Sequence, residues 1–160
     1  MKEATQKKLK SAGWLVFYLY IILLFYFLFF SERYGRDCIG EGYRYNLEFL
    51  KEIKRFITYR KKLGFESFAV NIMGNVIAFA PFGFLLPLLD KKYRGFFHTT
   101  LLSLFFSLAV EVIQMLLKVG IFDVDDLLLN TLGGVLGYLI FVVVNSIYRR
   151  HHHINRRRGK

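Results

Sequence analysis

The sequence predicts an all-α, polytopic membrane protein with four transmembrane helices and one extracytoplasmic amphipathic helix in the membrane interface. The 160-residue chain is 54% hydrophobic and 18% aromatic. Its charged residues fall in blocks, and the uncharged gaps between the blocks are long enough to cross a bilayer. A chain of this length has room for one domain, so we assign residues 1–160 to a single membrane domain.

The four predicted spans are residues 13–30, 69–89, 96–117 and 127–147. The first is 18 residues long. At 1.5 Å per residue it would span about 27 Å, close to the thickness of the hydrocarbon core. It follows a basic arm, as a signal peptide does, but it is longer than a signal's apolar region and ends in Phe29 and Phe30 instead of small residues. We therefore predict a membrane helix here.

Residues 45–63 predict the amphipathic helix. Apolar and basic side chains alternate there at spacings of three and four, with Phe49, Leu50, Ile53, Phe56 and Ile57 on one face and Lys51, Lys54 and Arg55 elsewhere. This pattern is typical of a helix lying in the interface with its basic face toward lipid headgroups. A helix that simply packs over the bundle is the alternative.

The distribution of Lys and Arg predicts that both termini are cytoplasmic. Thirteen of the 23 Lys and Arg residues then lie inside, including those of the basic tail at 148–160, whereas the short loop 118–126 carries one Lys against three Asp. Short loops carry most of the topology signal. The net charge of +11 is accounted for by topology and anionic headgroups. The expected partner is the lipid bilayer, and no nucleic acid is expected.

Polar side chains in or beside three of the spans would lie on the outer side of the membrane in this orientation. An ionised group near the membrane centre costs roughly 2.5 kcal/mol or more, so such groups tend to face a bundle interior or a wet cavity. We therefore predict that they form a ligand-binding site. The predicted set is Asn71, Asn75, Glu111, Gln114, Asp123, Asp125, Asp126 and Asn130.

Glycine and proline residues predict the shape of this site. Gly133 and Gly137 share a helix face with Asp126 and Asn130 and would let a neighbouring backbone approach closely. Pro81 removes a helical hydrogen bond and should kink or break the second span, which in membranes occurs where the freed backbone lines a cavity or finds protein partners. We predict a pocket open toward the outer leaflet.

The acidic residues admit two interpretations. Glu111, Asp123 and Asp126 could ligate a divalent cation through carboxylate oxygens, although the spacing is not that of an EF-hand; no other cofactor is expected. Alternatively, Asp123 caps the fourth helix, Asp125 and Asp126 interact favourably with its dipole, and Glu111 pairs with Lys118 or another basic residue.

No nucleophile–base pair is evident in the sequence. His98 falls at the cytoplasmic start of the third span, far from the carboxylates, and Ser103 and Ser107 fall toward its inner half. Acyl-transfer chemistry of the Ser-His type is therefore not expected, and a function without catalysis is favoured.

Three motifs together closely resemble the VanZ-like family of bacterial membrane proteins. They are N-x-x-G-N-x-x-x-F-x-P-x-G from Asn71 to Gly83, E-x-x-Q from Glu111 to Gln114, and F-D-V-D-D-x-x-x-N-T-x-G-G-x-x-G from Phe122 to Gly137. The resemblance covers about residues 45–138 and includes Tyr45-Asn46-Leu47, which is similar to the Asn-Leu that precedes the family's external segment. Many members carry an Arg shortly before the Asp run, where this chain has Lys-Val-Gly-Ile at 118–121.

The resemblance implies a function in the cell envelope. Some members of the family reduce susceptibility to teicoplanin-type lipoglycopeptides, whose acyl tail inserts in the outer leaflet. We therefore expect the pocket to engage a lipoglycopeptide antibiotic or a lipid-linked wall precursor. The alternatives are a divalent-cation-dependent hydrolase or transferase acting on a lipid-linked substrate, and a membrane scaffold or transport accessory; the lack of repeat symmetry disfavours a stand-alone transporter.

Overall fold

Four helices make up most of the structure. The computed structural model describes residues 3–30, 42–51, 54–55, 58–59 and 72–158. The helices are α1 (Glu3–Phe30), α2 (Gly74–Leu89), α3 (Phe96–Leu116) and α4 (Val124–Arg158). Two short strands, β1 (Tyr45–Asn46) and β2 (Phe122–Asp123), and a 3₁₀ turn at Lys91–Tyr93 lie between them.

Three of the helices are long and apolar enough to cross a membrane. The candidate spans within the described ranges are Lys7–Phe30, Phe96–Leu116 and Val124–His151. The remaining helix, α2, is also apolar but is only 16 residues long. It is therefore about 24 Å long, somewhat shorter than a hydrocarbon core of roughly 30 Å. The chain is a multi-pass membrane protein with three long candidate spans and one shorter apolar helix.

The outer faces of the helices present large apolar side chains. Leu23 of α1, Phe105 of α3 and Val143 of α4 each expose more than half of their surface. Large apolar patches are rare on proteins surrounded by water, whereas lipid tails are as apolar as these side chains. The distribution is that of a bundle surrounded by lipid.

Aromatic side chains fill the space between α1, α2 and α3. Phe82 of α2 stacks on Phe106 of α3 with ring centroids 4.7 Å apart, and Phe17 of α1 lies 6.0 Å from Phe82. The Tyr20 hydroxyl donates a hydrogen bond of 2.8 Å to the carbonyl of Ala78. Helix α1 is thus attached to α2 by packing and by a buried polar contact.

Helices α2 and α4 pack backbone against backbone. A Cβ on Gly133 would overlap the carbonyl of Val76, and a Cβ on Gly137 would overlap the carbonyl of Ala80. Gly83 of α2 lies equally close to the α4 backbone. The close approach predicted for the glycine face is confirmed, and the neighbour is α2 of the same chain.

A kink or a break was predicted at Pro81. Helix α2 continues through Pro81 and Pro87, so the helix does not break there. A proline removes one helical hydrogen bond, but a membrane helix tolerates this where neighbouring groups bind the freed backbone. Here α4 packs along α2 on both sides of Pro81.

Helix directions bring the acidic residues to one end of the bundle. Near the ends of α3 and α1, Gln114 Nε2 donates to the carbonyl of Leu28 at 3.0 Å. Near the starts of α2 and α4, Asn75 Nδ2 donates to Asp126 Oδ1 at 2.6 Å. We call this the carboxylate end. The opposite, basic end holds the start of α1 and the Lys91–Tyr93 turn.

Residues 42–51, 54–55 and 58–59, which we call the external segment because they lie outside the four helices, are tied to the start of α4 by a parallel strand pair. Tyr45 pairs with Phe122 and Asn46 with Asp123. The N–H of Phe122 donates to the carbonyl of Arg44 at 3.1 Å. The helix predicted from residue 45 is therefore wrong at its start, because Tyr45 and Asn46 are extended to pair with β2.

Further along the external segment the backbone is helical at Lys51, Lys54–Arg55 and Thr58–Tyr59. These positions are three or four residues apart and all five side chains are exposed, so they share one outward face. The other residues of the predicted amphipathic helix after residue 51 lie outside the described residues. Its position in the membrane interface stays a prediction.

Leu50 joins the external segment to α4. It has a φ of 61°, which is uncommon for a residue with a side chain. Its N–H donates to Asp125 Oδ1 at 2.6 Å. The buried carboxylate of Asp125 therefore holds this turn in place.

We expect Gly137→Ala to destabilise the protein by about 1–3 kcal/mol, the usual effect of overpacking. Alanine favours the helix over glycine by roughly 1 kcal/mol. A loss of stability must therefore come from the collision of the new methyl group with the α2 backbone. Thermal unfolding in detergent, followed by circular dichroism, measures the change. Leu136→Phe adds volume at a partly exposed neighbour and should have little effect; equal stability of Gly137→Ala and wild type would contradict the backbone contact.

We expect Asp125→Ala to lower stability by about 1–3 kcal/mol, because it leaves the Leu50 N–H without its carboxylate acceptor. Asp125→Asn keeps an acceptor oxygen at the same place and is the matched control, with a smaller expected loss. Protease sensitivity of the external segment should rise in the alanine variant before global unfolding. Similar losses in the two variants would show that the hydrogen bond to Leu50 is not what matters.

Candidate functional site

Helix α3 carries a buried polar stripe toward the carboxylate end. Thr99, Ser103, Ser107 and Glu111 follow one another at four-residue intervals, and each is at most 3% exposed. Residues four apart share a helix face. The hydroxyl of Ser103 occupies the space that a Cβ on Gly134 would take, so the stripe faces α4.

Asn130 of α4 meets this stripe. Its Nδ2 donates to Ser107 Oγ at 3.0 Å. Its Oδ1 is buried and accepts no hydrogen bond within the described part of the chain. An unpaired buried acceptor costs about 1–3 kcal/mol. Ser107, which was expected toward the inner half of this helix, lies one turn from Glu111 and bonds to the predicted site residue Asn130.

Asn75 and Asp126 extend the polar line across the α2–α4 contact. Asn75 is 4% exposed, and its hydrogen bond to Asp126 joins the starts of the two helices. Asp126 lies one turn before Asn130 on the same face of α4. The structure therefore brings Asn75, Asp126 and Asn130 together along one interface.

Asp123 organises the start of α4. Its Oδ1 accepts from the N–H of Asp125 at 2.8 Å, which confirms the capping role predicted for it. Its Oδ2 accepts from Asn46 Nδ2 at 3.0 Å. Its own N–H donates to Glu111 Oε2 at 3.1 Å. Asp123 thus connects α3, α4 and the external segment.

The remaining predicted residues border this network. Gln114 holds the end of α1 through the carbonyl of Leu28, and Asp125 is fully buried where it accepts from Leu50. Asn71 lies outside the described residues. Every described member of the predicted set is therefore at the carboxylate end.

The acidic side chains in the described part of the chain do not form a metal-ligating cluster. Within the described ranges, no group of three or more His, Cys, Asp or Glu residues is arranged to hold a metal ion. Oxygens of Glu111 and Asp123 instead accept hydrogen bonds from a backbone N–H and an amide. This geometry does not support the cation set of Glu111, Asp123 and Asp126.

A cavity of about 900 Å³ lies at the basic end, between the start of α1 and the end of α2. None of the predicted site residues lines it. The pocket expected among Asn75, Glu111 and Asn130 stays a prediction.

The polar network offers mainly acceptors. Carboxylates accept hydrogen bonds and do not donate them when ionised, and an amide oxygen such as Asn130 Oδ1 also accepts. A ligand suited to this end of the bundle would bring hydroxyl, amide or ammonium donors.

Two residues of the network, Ser107 and Asn46, were not predicted as site residues. The four-residue spacing from Thr99 to Glu111 is a signal that could have identified Ser107. Asn46 lies 77 residues from its partner Asp123, and no periodicity marks it. Its only sequence signal is the Tyr45-Asn46-Leu47 motif.

Comparison with known proteins agrees with these motifs. The VanZ/LLP1 family model matches residues 17–145. The chain is also similar to Protein VanZ of Enterococcus faecium, with 37% identity over 76 residues that cover 48% of this chain and 47% of that protein. The match thus spans about half the length of this relative. No solved structure matches. Since the family match covers most of the chain, this multi-pass membrane protein belongs to the VanZ/LLP1 family.

Proposed function

We propose that the protein binds an amphiphile of the bacterial cell envelope at its carboxylate end and thereby lowers susceptibility to teicoplanin-type antibiotics. The ligand is a lipoglycopeptide or a lipid-linked wall precursor. The buried Asn130 Oδ1, which lacks a donor in the described part of the chain, carries the proposal. A ligand that donates to this oxygen would remove the penalty of an unpaired buried acceptor.

The depth of the site suits an amphiphile. Asn130 lies six residues into α4, about 9 Å along the helix axis. Leu127, which lies about 60° from Asn130 around the helix, is partly exposed. A headgroup could therefore reach the polar line while its acyl tail stays in the adjoining lipid.

The charge of the site favours one type of headgroup. Asp123, Asp125 and Asp126 would repel a bare phosphate and attract hydroxyl, amide and ammonium donors. A lipoglycopeptide presents such donors on its sugars and peptide. A lipid-linked precursor would bind through its glycan or peptide portion.

The proposal includes a topology. Helix α2, with residues before Gly74, completes a fourth crossing, both termini lie in the cytoplasm, and the carboxylate end faces outward. The Lys and Arg distribution supports this orientation, because the short loop at the carboxylate end, residues 118–126, carries a single Lys.

The alternatives have less support. A scaffold that uses the Gly133 and Gly137 face is disfavoured because α2 occupies that face. A cation-dependent hydrolase or transferase would need ligands that the described acidic residues do not assemble.

Expression in a susceptible Gram-positive host should raise the inhibitory concentration of teicoplanin severalfold and that of vancomycin much less, because vancomycin lacks the acyl tail. The measurement compares matched strains that carry the intact gene or an empty vector, with the protein level in membranes checked. Equal shifts for both antibiotics, or none, would count against the proposal.

Asn130→Leu should weaken teicoplanin binding about tenfold, which corresponds to the loss of one good hydrogen bond. Binding is measured by calorimetry on the full chain in nanodiscs. Unfolding stability is measured in parallel, because leucine also removes the hydrogen bond to Ser107 Oγ, a loss of about 1–3 kcal/mol that removal of the unpaired acceptor partly offsets.

Thr131→Val is the matched control for Asn130→Leu. The Thr131 hydroxyl bonds to the carbonyl of Leu127 within its own helix, so its removal should leave antibiotic binding unchanged. Wild-type affinity in Asn130→Leu would remove Asn130 from the site.

A further inference from the structure

The cavity at the basic end is a groove that the proposed function does not use. Residues of the start of α1 and the end of α2 line it. Leu9, Val16 and Leu88 form apolar walls, and each exposes about half or more of its surface. Gly13 forms part of the floor, where α1 approaches the side chain of Leu89. The groove therefore has room for an apolar chain beside the helices.

Cationic side chains surround the same groove. Lys10 and Lys91 line it and are exposed, and Arg94 lines it and is half-buried. The Arg94 Nε donates at 3.1 Å to a carbonyl of α2, which fixes the guanidinium beside the groove. Asp90 also lines the groove, but its Oδ1 caps the following turn by accepting from the N–H of Lys92.

The combination of apolar walls and cationic side chains distinguishes this groove from the basic tail. Solvated lysines alone would attract any anion, and an apolar groove alone would admit any lipid chain. Here three cations and one carboxylate border walls of leucine and valine. Basic pockets between membrane helices are suited to anionic lipid headgroups, and a guanidinium is well shaped for phosphate oxygens.

We propose that this groove is a binding site for an anionic phospholipid. The headgroup phosphate lies among Lys10, Lys91 and Arg94, and one acyl chain lies along Val16 and Leu88. The site is independent of the carboxylate end, because it uses none of the residues assigned there.

The test measures lipid binding to the purified full chain by native mass spectrometry in detergent. The probes are phosphatidylglycerol and phosphatidylcholine with identical acyl chains. Wild type should bind phosphatidylglycerol about tenfold more tightly, since each basic side chain near a headgroup adds an attraction that the zwitterionic lipid lacks. Inorganic phosphate at millimolar concentration should not displace the bound lipid, because it cannot fill the apolar walls.

Paired charge changes locate the site. Lys10→Gln with Lys91→Gln should reduce the preference for phosphatidylglycerol to about twofold or less. Lys8→Gln with Lys92→Gln removes the same charge from the same elements but from residues that do not line the groove, and should keep the preference. Thermal unfolding verifies that both double variants are folded.

Three results would overturn the proposal. The first is equal binding of phosphatidylglycerol and phosphatidylcholine by the wild-type protein, a result that requires no variant. The two double variants could lose the preference equally, which would indicate general attraction to the basic end. Inorganic phosphate could displace the lipid, which would assign the site to the free anion.

Discussion

The backbone contact between α2 and α4 is the constraint on which the rest of the structure depends. Lipid offers no hydrophobic force to drive helices together, so close packing and polar contacts must hold them. Gly133 and Gly137 supply the packing against Val76 and Ala80. The resulting register brings Asn75 to Asp126, and separation of the two helices would leave that polar pair in hydrocarbon.

Helices α3 and α1 are joined to this pair by further polar contacts in an apolar setting. The α3 stripe reaches α4 through the bond between Ser107 and Asn130. Helix α1 adds aromatic packing, the hydroxyl of Tyr20 and a carbonyl acceptor for Gln114. Each contact satisfies a group that would be costly to leave unpaired away from water. The helices therefore pack so that these polar groups find partners on neighbouring helices.

The sequence predicted the four apolar helices and several described members of the polar cluster, because both depend on the cost of placing charge in lipid. That cost confines charged residues to loops and singles out exceptions such as Glu111. The cost of placing charge in lipid does not determine which distant residues contact one another. Tyr45 and Asn46 form a strand too short to have a period, and α2 continues through Pro81 because α4 supports it. Such outcomes depend on contacts between distant residues, which periodicity does not encode.

The external segment takes a direct part in stabilising the acidic residues. Asn46 donates to Asp123 and Leu50 donates to Asp125, so part of the acceptor capacity of the carboxylate end is used within the chain. Hydrogen bonds to charged groups are worth roughly 1.5–3 kcal/mol each, and a ligand donor aimed at the same oxygens would have to compete with them. Asn130 Oδ1 has no such competitor within the described residues. Under the proposed function, a ligand would therefore gain most by donating to Asn130, which lies further along α4 than the carboxylates that the external segment already holds.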